Sequence, residues 1–293
     1  RIEGYRNFAN KIWNAARFAQ MYQANIHEAG SPIADDTLPG QWIRNRLNET
    51  IQTVTNELEA YRFDRAANAL YQFFWHEYCD WYLELIKPAL QDTQRPSYHE
   101  GAKARQTLRE TLEVFLRLLH PFMPFITEEI WQTFRHAHTV GETIVIQQYP
   151  LPQPHWSNPE AEGTFQILEQ SINLIRTARV LLNYPPAKTI RFFATHEDPK
   201  ATANLEKIDQ NLRHLGRGQL LASPDPQLPK PHILRLVTEG LTVGVVVEGD
   251  VDLQKAIERL AKQITETDKE LQRIDGKLKN AEFVSKAPPD VIA

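Results

Sequence analysis

The sequence contains little cysteine, no long apolar run and no strong excess of charge of either sign. Its single cysteine, Cys79, excludes an internal disulfide framework and a metal site of the CxxC type, and one unpaired thiol is typical of a cytoplasmic protein. No segment approaches the roughly 20 apolar residues that a membrane-spanning helix needs. The 33 basic and 37 acidic residues give a net charge of −4, which argues against non-specific binding to nucleic acid. Specific RNA binding through a local patch remains open.

The residues that are present predict a globular protein that is a piece of a longer one. Hydrophobic residues make up 42% of the chain and charged residues 24%, which excludes disorder as the default. The N-terminus has neither a starting methionine nor the apolar segment of a signal peptide, and it begins inside an amphipathic helical pattern. We therefore expect that the chain starts within a larger protein.

Apolar periodicity predicts a helical bundle over residues 1–139, and accumulated prolines predict a linker over residues 140–159. The apolar face of the first helix is read from Tyr5, Phe8 and Ile12, which recur at helical spacing. Five helices are expected at residues 3 to about 24, from Trp42 to Leu58, from a cap at Asp64 to Leu90, at 98–119 and at 125–134.

A small α+β module is predicted over residues 160–250. The chain alternates there between helical and strand-like patterns, and Glu239-Gly240 marks a turn between two strands. The expected elements are a helix over 161–182, a strand over 188–194, a helix over 199–215 and two strands within 232–247.

The last segment, residues 251–293, predicts the first helix and turn of a coiled coil. Apolar residues from Leu253 to Leu278 alternate at intervals of four and three, which is a heptad seam. No partner for this seam follows in the sequence, so we expect this fragment to dimerise through its last helix. The predicted fold class is thus mainly α: a helical bundle, then a small α+β module and one coiled-coil helix.

No motif in the sequence predicts catalysis. A Walker loop, a GxGxxG dinucleotide fingerprint and a GxSxG nucleophile elbow are all missing. Three groups of residues invite a catalytic or metal interpretation, and each has an ordinary structural explanation. They are His136 with His138 (an exposed loop), Cys79 with His76 (a buried thiol among aromatic residues) and Glu128 with Glu129 (compensation of a helix dipole).

The remaining polar pattern suits recognition of RNA. Arg6, Asn10, Asn14 and Arg17 share one face of the first helix, and their guanidinium and amide groups can bond phosphates and base edges. The alternative is a solvated helix face. Trp75, Trp81 and Tyr82 could stack on bases, and the alternative is that they belong to the core. Arg259 and Lys262 on the last helix could contact RNA, and the alternative is an ordinary charged flank of a coiled coil.

Five segments resemble one family. EGYRNFANKIWNAARF (3–18), FFWHEYCDWYLELIKPAL (73–90) and LRLLHPFMPFITEEIW (116–131) resemble the anticodon-binding domain of class I aminoacyl-tRNA synthetases of the valine, isoleucine and leucine group. IRTARVLLNYPPAKTI (175–190) and the ending NAEFVSKAPPDVI narrow the resemblance to the valyl branch, whose C-terminal arm is a coiled coil. The equivalent region of an isoleucyl or leucyl enzyme is the related alternative.

The resemblance implies a cytoplasmic and usually monomeric ligase that uses ATP and Mg²⁺ to attach valine to its tRNA. The motifs of its catalytic domain and its editing domain are missing here, so the chain alone should be inactive and should hold no cofactor. Its expected partner is valine tRNA, with no DNA and no membrane. A helical or coiled-coil module that binds a protein is the rival from another class, and a free-standing hydrolase using Cys79 and His76 is a third.

The resemblance also assigns anticodon contacts to the first helix, to the loop after it and to the end of the long aromatic helix. Carried over by position, these are Arg6, Arg17, Ile26, Leu90 and Gln91. The helical face shared with Arg6 and Arg17 adds Asn10 and Asn14, and the coiled-coil arm adds Arg259 and Lys262.

Overall fold

Contacts between residues divide the chain into two units, Arg1–Ile167 and Leu168–Ala293. The predicted boundaries of the linker and of the coiled-coil segment stay predictions. The structure is a computed structural model, and it describes residues 2–22, 35–91, 98–134, 143–185, 187–221, 233–249 and 253–280.

The first unit is built from helices, as predicted. The helix predicted to start near residue 125 begins at Pro124, and two short 3₁₀ turns that the sequence did not suggest follow it at Ile144–Ile146 and Pro154–Trp156. The helices are α1 (Ile2–Met21), α2 (Leu38–Glu59), α3 (Phe63–Gln72), a π-helical segment (Phe73–Tyr82), α4 (Leu83–Gln91), α5 (Tyr98–Leu119), α6 (Pro124–Phe134) and the start of α7 (Pro159–Leu181).

Helix α1 buries one face against α5, α6 and the π-helical segment. Phe8 and Ile12 are buried there, and the Phe8 ring lies 5.1 Å from that of Tyr71 and 6.2 Å from that of Phe74. Tyr5, which the spacing assigned to the same face, is 71% exposed, because the buried side of the helix begins only at Phe8.

Aromatic rings form the centre of this unit, and they correct the prediction of one uninterrupted third helix. Phe74 stacks on Phe115 at 4.4 Å and on Tyr78 at 5.2 Å, and Tyr78 contacts Tyr82 at 5.4 Å. The backbone over Phe73–Tyr82 is π-helical rather than α-helical. Seven of these ten residues are Phe, Trp, Tyr or Cys, and ten residues are too few for the period of the pattern to distinguish the wider helix from the ordinary one.

The start of the same helix also differs from the prediction. Arg62 occupies the N-cap position and makes no cap bond with its side chain, so Asp64 is not the cap. Asp64 lies instead in the first turn of α3, where its negative charge favours the positive end of the helix dipole.

The second unit combines the end of α7 with a four-stranded sheet. The strands lie in the order β2-β1-β4-β3; β1 pairs parallel with β2 and antiparallel with β4, and β3 pairs antiparallel with β4. The elements after α7 are β1 (Ile190–His196), α8 (Pro199–Lys207), α9 (Asp209–Gly216), β2 (Gly218–Leu220), β3 (Ile233–Thr238), β4 (Leu241–Val246) and α10 (Leu253–Leu278).

The hairpin of β3 and β4 confirms the predicted turn. Glu239 and Gly240 both have positive φ, +43° and +80°, which suits the tight turn between two twisted antiparallel strands. Two other predictions are corrected: the helix expected over 199–215 is interrupted at Ile208, and the short strand β2 was not foreseen. Three residues give too short a pattern for period-based prediction.

Helix α10 carries its apolar seam on the surface. It has the predicted bounds, and its seam residues are exposed by 57% at Ile257, 61% at Ile264 and 55% at Leu271. Within the described part of the chain nothing covers this seam. The described helices also include none that is both long and apolar enough to cross a membrane.

Candidate nucleic-acid interface

The polar face of α1 is the first part of the candidate interface. At about 100° per residue, Arg6, Asn10, Asn14 and Arg17 fall within an arc of about 80°. All four are exposed, whereas Ile12 on the opposite side is fully buried. The core contacts of α1 therefore orient a strip of two guanidinium groups and two amides outward, over about three turns of helix.

This strip is free to bind a polar ligand without breaking the fold. Among the residues that the structure describes, the one ion pair within it joins Arg6 Nη2 to Glu3 Oε1 at 3.5 Å, and the Arg6 side chain stays 69% exposed. An exposed pair of this kind contributes about 0.2–1 kcal/mol, so exchanging Glu3 for a phosphate costs little. Guanidinium groups match phosphate oxygens with two parallel hydrogen bonds, and amides can both donate to and accept from a base edge.

A further cation, Lys11, borders the strip where α1 meets the π-helical segment. Lys11 Nζ bonds Asp80 Oδ1 at 2.8 Å and lies 4.9 Å from the centre of the Trp75 ring. Trp75 also stacks on Tyr71 at 5.5 Å and remains partly exposed. This cluster escaped sequence reasoning because its members lie almost 70 residues apart, although an aromatic ring with a neighbouring cation is a common base-stacking device.

Two other aromatic candidates for stacking belong to the core instead. Trp81 is 9% exposed and packs edge-on against Phe165, and Tyr82 is fully buried. Burial raises the pKa of the Tyr82 hydroxyl well above its ordinary value. The structural interpretation of these two rings is therefore correct, and only Trp75 of the three keeps a surface.

The end of the long aromatic helix offers one exposed and one buried candidate. Gln91 is exposed at the last position of α4, whereas the Leu90 side chain is 2% exposed. Leu90 as a whole residue thus offers almost no surface for a contact with RNA. Ile26 lies outside the described residues.

On α10, the structure places both predicted contacts on the surface. Arg259 and Lys262 are exposed, and Lys262 Nζ lies 4.0 Å from Glu266 Oε1 one turn further on. They belong to the second unit, whereas the strip on α1 belongs to the first.

The thiol of Cys79 is unsuited to nucleophilic chemistry. It is 7% exposed, and burial is the main cause that raises its pKa to about 12, with Asp80 adding to the effect. Because the thiolate is the reactive form, this group is almost wholly protonated at neutral pH. Its neighbour His76 faces Asp80, 3.5 Å from Nδ1 to Oδ2, on the exposed side of the helix.

The paired acids on α6 are also structural. Glu128 accepts hydrogen bonds from the Thr143 hydroxyl, from the Ile144 N–H at 3.1 Å and from Gln132, and so ties the chain after α6 to that helix. Burial by itself would raise the pKa of Glu128, but these hydrogen bonds outweigh it and the pKa lies below the ordinary value. Glu129 is exposed. His136 and His138 lie outside the described residues, among which no three His, Cys, Asp or Glu side chains gather as metal ligands.

Comparison with known families places these features in a context. Residues 40–194 match the family model described as the anticodon-binding domain of tRNA ligase. Residues 252–293 match the model described as the valyl tRNA synthetase tRNA binding arm, which begins next to the first residue of α10.

Whole proteins that resemble the chain carry the name valine–tRNA ligase. Those from Carboxydothermus hydrogenoformans, Legionella pneumophila (strain Lens) and Oceanobacillus iheyensis are 38%, 37% and 36% identical to it over 292, 298 and 294 aligned residues. Each alignment covers 100% of this chain and 32% of the relative. The chain therefore spans about a third of the length of these relatives.

Proposed function

The chain belongs to the family of anticodon-binding domains of tRNA ligases, and on that premise we propose that it is the tRNA-recognition portion of a valine–tRNA ligase. The observation that carries the proposal is the combination of two matches in one chain. The anticodon-binding model covers most of the helical unit, and the valyl-specific arm model covers the segment that includes α10. A protein-interaction module would not be expected to carry both.

The proposed mechanism is recognition of a single-stranded loop. Bases of the anticodon are unstacked and lie against the polar face of α1, where Asn10 and Asn14 bond base edges while Arg6 and Arg17 meet phosphates or a second edge. Gln91 adds a contact at the end of α4. Rigid support comes from the buried side of α1, which holds the strip in place before RNA arrives.

The arm is proposed to add affinity without reading the anticodon. Exposed cations on α10, such as Arg259 and Lys262, meet the phosphate backbone of the same tRNA, a contact that depends on salt and not on base sequence. Attachment of valine with ATP and Mg²⁺ belongs to the rest of such a ligase.

Binding of the 293-residue chain to a valine tRNA transcript tests the proposal. The dissociation constant is measured by filter binding for three transcripts: the intact one, one with the middle anticodon base replaced and one with the third anticodon base replaced. A loss of at least tenfold, about 1.4 kcal/mol, is expected on replacement. Equal affinity for all three transcripts, with the far-ultraviolet spectrum showing a folded helical protein, would reject anticodon recognition by this chain.

We also propose that two copies of this chain pair through α10. Exposed apolar stripes of this kind associate in water, and the heptad spacing matches a coiled-coil partner. Light scattering at high protein concentration should show a dimer that Ile264→Lys converts to a monomer. The matched control, Thr265→Lys, adds the same charge at the next, exposed position, about 100° around the helix and outside the seam, and should leave the dimer intact. A monomer for the unmodified chain contradicts the pairing.

A further inference from the structure

A cleft of about 290 Å³ lies in the second unit, where the loop after α7, the segment after β4 and the first turns of α10 meet. Among the described residues that line it, the charged ones are Lys188, Glu248, Lys255 and Arg259, and Tyr184 contributes a ring. Three cations thus face one carboxylate. Lys255 and Arg259 are four residues apart, so both lie on the same side of α10.

Lys188 is held in one orientation inside this cleft. Its ammonium donates to the Glu248 carbonyl oxygen at 2.9 Å and lies 3.6 Å from the centre of the Tyr184 ring. The backbone supports the same position, because Arg179 Nη1 donates to the Lys188 carbonyl oxygen at 2.8 Å. An ammonium group carries three protons, so the carbonyl bond leaves donors for a further acceptor.

Tyr184 and Glu248 form one wall of the cleft and are held together by hydrogen bonds. The Glu248 carboxylate is not the counter-ion of Lys188. The Tyr184 hydroxyl donates to the Glu248 carbonyl oxygen at 3.0 Å and accepts from the Glu248 N–H at 2.8 Å. The Glu248 carboxylate itself pairs with the guanidinium group of Arg191. Among the described residues that line the cleft, the one carboxylate is therefore already paired with Arg191 and does not neutralise Lys188 or Arg259.

The dimensions and the chemistry of the cleft suit a phosphodiester better than a base. The Tyr184 side chain is buried to 9% exposure, with its hydroxyl and one face occupied, so it offers no open ring on which a base could stack. The remaining donors are cationic, and cations that converge from two elements bind phosphate oxygens with charge-assisted hydrogen bonds. The volume is sufficient for a phosphate group with part of its sugar.

We propose that this cleft binds one backbone phosphate of RNA, gripped from one side by Lys188 and from the other by Arg259, with Lys255 beside them. The site is distinct from the strip on α1, and its assignment to tRNA rests on the proposed function. It joins a residue of the α+β module to the arm helix, so that both elements contact the same point of the RNA backbone.

The test compares how tRNA binding depends on salt in Lys188→Gln, in Arg259→Gln and in the double variant. Each single change is expected to lower the slope of log Kd against log salt concentration by about 0.7–0.9, the contribution of one phosphate. The double variant should lose no more than either single variant, because both cations serve one phosphate. Lys200→Gln is the matched control; it removes the same charge from an exposed position of α8 and should leave the slope unchanged.

Two outcomes overturn the proposal. Slopes of both single variants equal to that of the Lys200→Gln control show that no phosphate binds in the cleft, and a double variant that loses twice the single effect shows two separate phosphates. Arg259→Gln keeps the test valid if Lys188→Gln disturbs the loop, since Arg259 is exposed on α10.

Failure of this inference is distinguishable from failure of the proposed function. The cleft reads no base, so the slope change should be the same with the intact transcript and with the replaced anticodon. If the chain discriminates between anticodons but the cleft variants leave the salt slope unchanged, the proposed function stands and the phosphate site in the cleft is rejected. The cleft could instead bind free inorganic phosphate, and binding of inorganic phosphate to the parent and to the variants at constant ionic strength tests this alternative. If the variants lose phosphate binding but bind tRNA as the parent does, the RNA site is rejected.

Discussion

Arg46 of α2 joins three helical segments of the first unit, and replacing it by methionine should destabilise the fold. Its guanidinium group makes a two-pronged pair with Glu77, with distances of 3.1 and 2.7 Å, and also lies 2.6 Å from Glu49 and 3.8 Å from Glu162. The hydrogen bonding that Arg46 donates to Glu77 is the largest cause that raises the pKa of Arg46. Removing the cation leaves three carboxylates close together.

The expected cost follows from how much of this group is exposed to water. The side chains of Arg46, Glu77 and Glu162 are exposed by 29%, 21% and 24%. Breaking a fully buried pair from one side costs roughly 3–5 kcal/mol, whereas an exposed pair contributes about 0.2–1 kcal/mol. Since these groups lie between the two limits, we expect Arg46→Met to lower the free energy of unfolding by about 2–3 kcal/mol at pH 7.

Urea unfolding followed by circular dichroism measures this loss, and Arg109→Met provides the control. Arg109 pairs with Glu113 at 2.8 Å on a single helix, with side-chain exposures of 35% and 30%. Its replacement should cost about 0.3–0.5 kcal/mol. If Arg46→Met costs no more than Arg109→Met, the argument that Arg46 joins the three segments is wrong.

The cost of Arg46→Met should also shrink as the pH falls. Burial raises the pKa of Glu162 above its ordinary value of 4.5, and Arg46 opposes that rise, so the variant raises this pKa further. A carboxyl whose pKa is raised by folding destabilises the folded state while it is ionised, at pH values above that pKa. The destabilisation disappears when the carboxyl is protonated at lower pH. The difference between variant and parent should therefore narrow between about pH 7 and pH 4.5, and a constant difference would contradict the assignment.

Three further predictions concern the RNA strip, the thiol and the sheet. Arg17→Ala should weaken tRNA binding by about 1–3 kcal/mol while unfolding changes by less than about 0.5 kcal/mol, and Arg65→Ala, an exposed arginine on α3, is the control for lost charge; equal affinities of the two variants would count against the strip. Cys79 should react with a thiol reagent about 1000-fold more slowly in the folded than in the unfolded chain, because its pKa is raised from 9.0 to about 12; rapid native labelling would contradict its burial. Gly244→Ala should destabilise the chain by about 1–3 kcal/mol in a thermal melt, because its new Cβ would lie 2.1 Å from the Phe193 ring; an unchanged melting temperature would refute this.

Local patterns in the sequence were sufficient for most helices and for the hairpin. The bounds of α5 and α10 agree with the periodicity, and Glu239-Gly240 turns where its composition suggested. The family resemblance extended this to the organisation of the chain, because its segments occur in order from α1 to the arm. Within the ten residues of the π-helical segment, the pattern is too short for the sequence to distinguish between helix types.

The candidate sites show what such patterns cannot contain. The face of α1 was readable because Arg6 and Arg17 share one helix, and helical geometry alone places them together. The burial of Leu90, in contrast, depends on packing by distant segments. The cleft that holds Lys188 and Glu248 joins residues 60 positions apart through a ladder of strands, and no spacing in the sequence indicates that contact.

A cross-linking experiment tests most directly whether the anticodon loop lies on α1. A valine tRNA transcript carries 4-thiouridine within its anticodon loop, is bound to the 293-residue chain and irradiated, and the cross-linked peptides are identified by mass spectrometry. If the loop lies on α1, cross-links form to peptides from Ile2–Met21 and are lost when unlabelled transcript competes. Cross-links confined to α10 or to the α+β module, with none on α1 or at the end of α4, would contradict it.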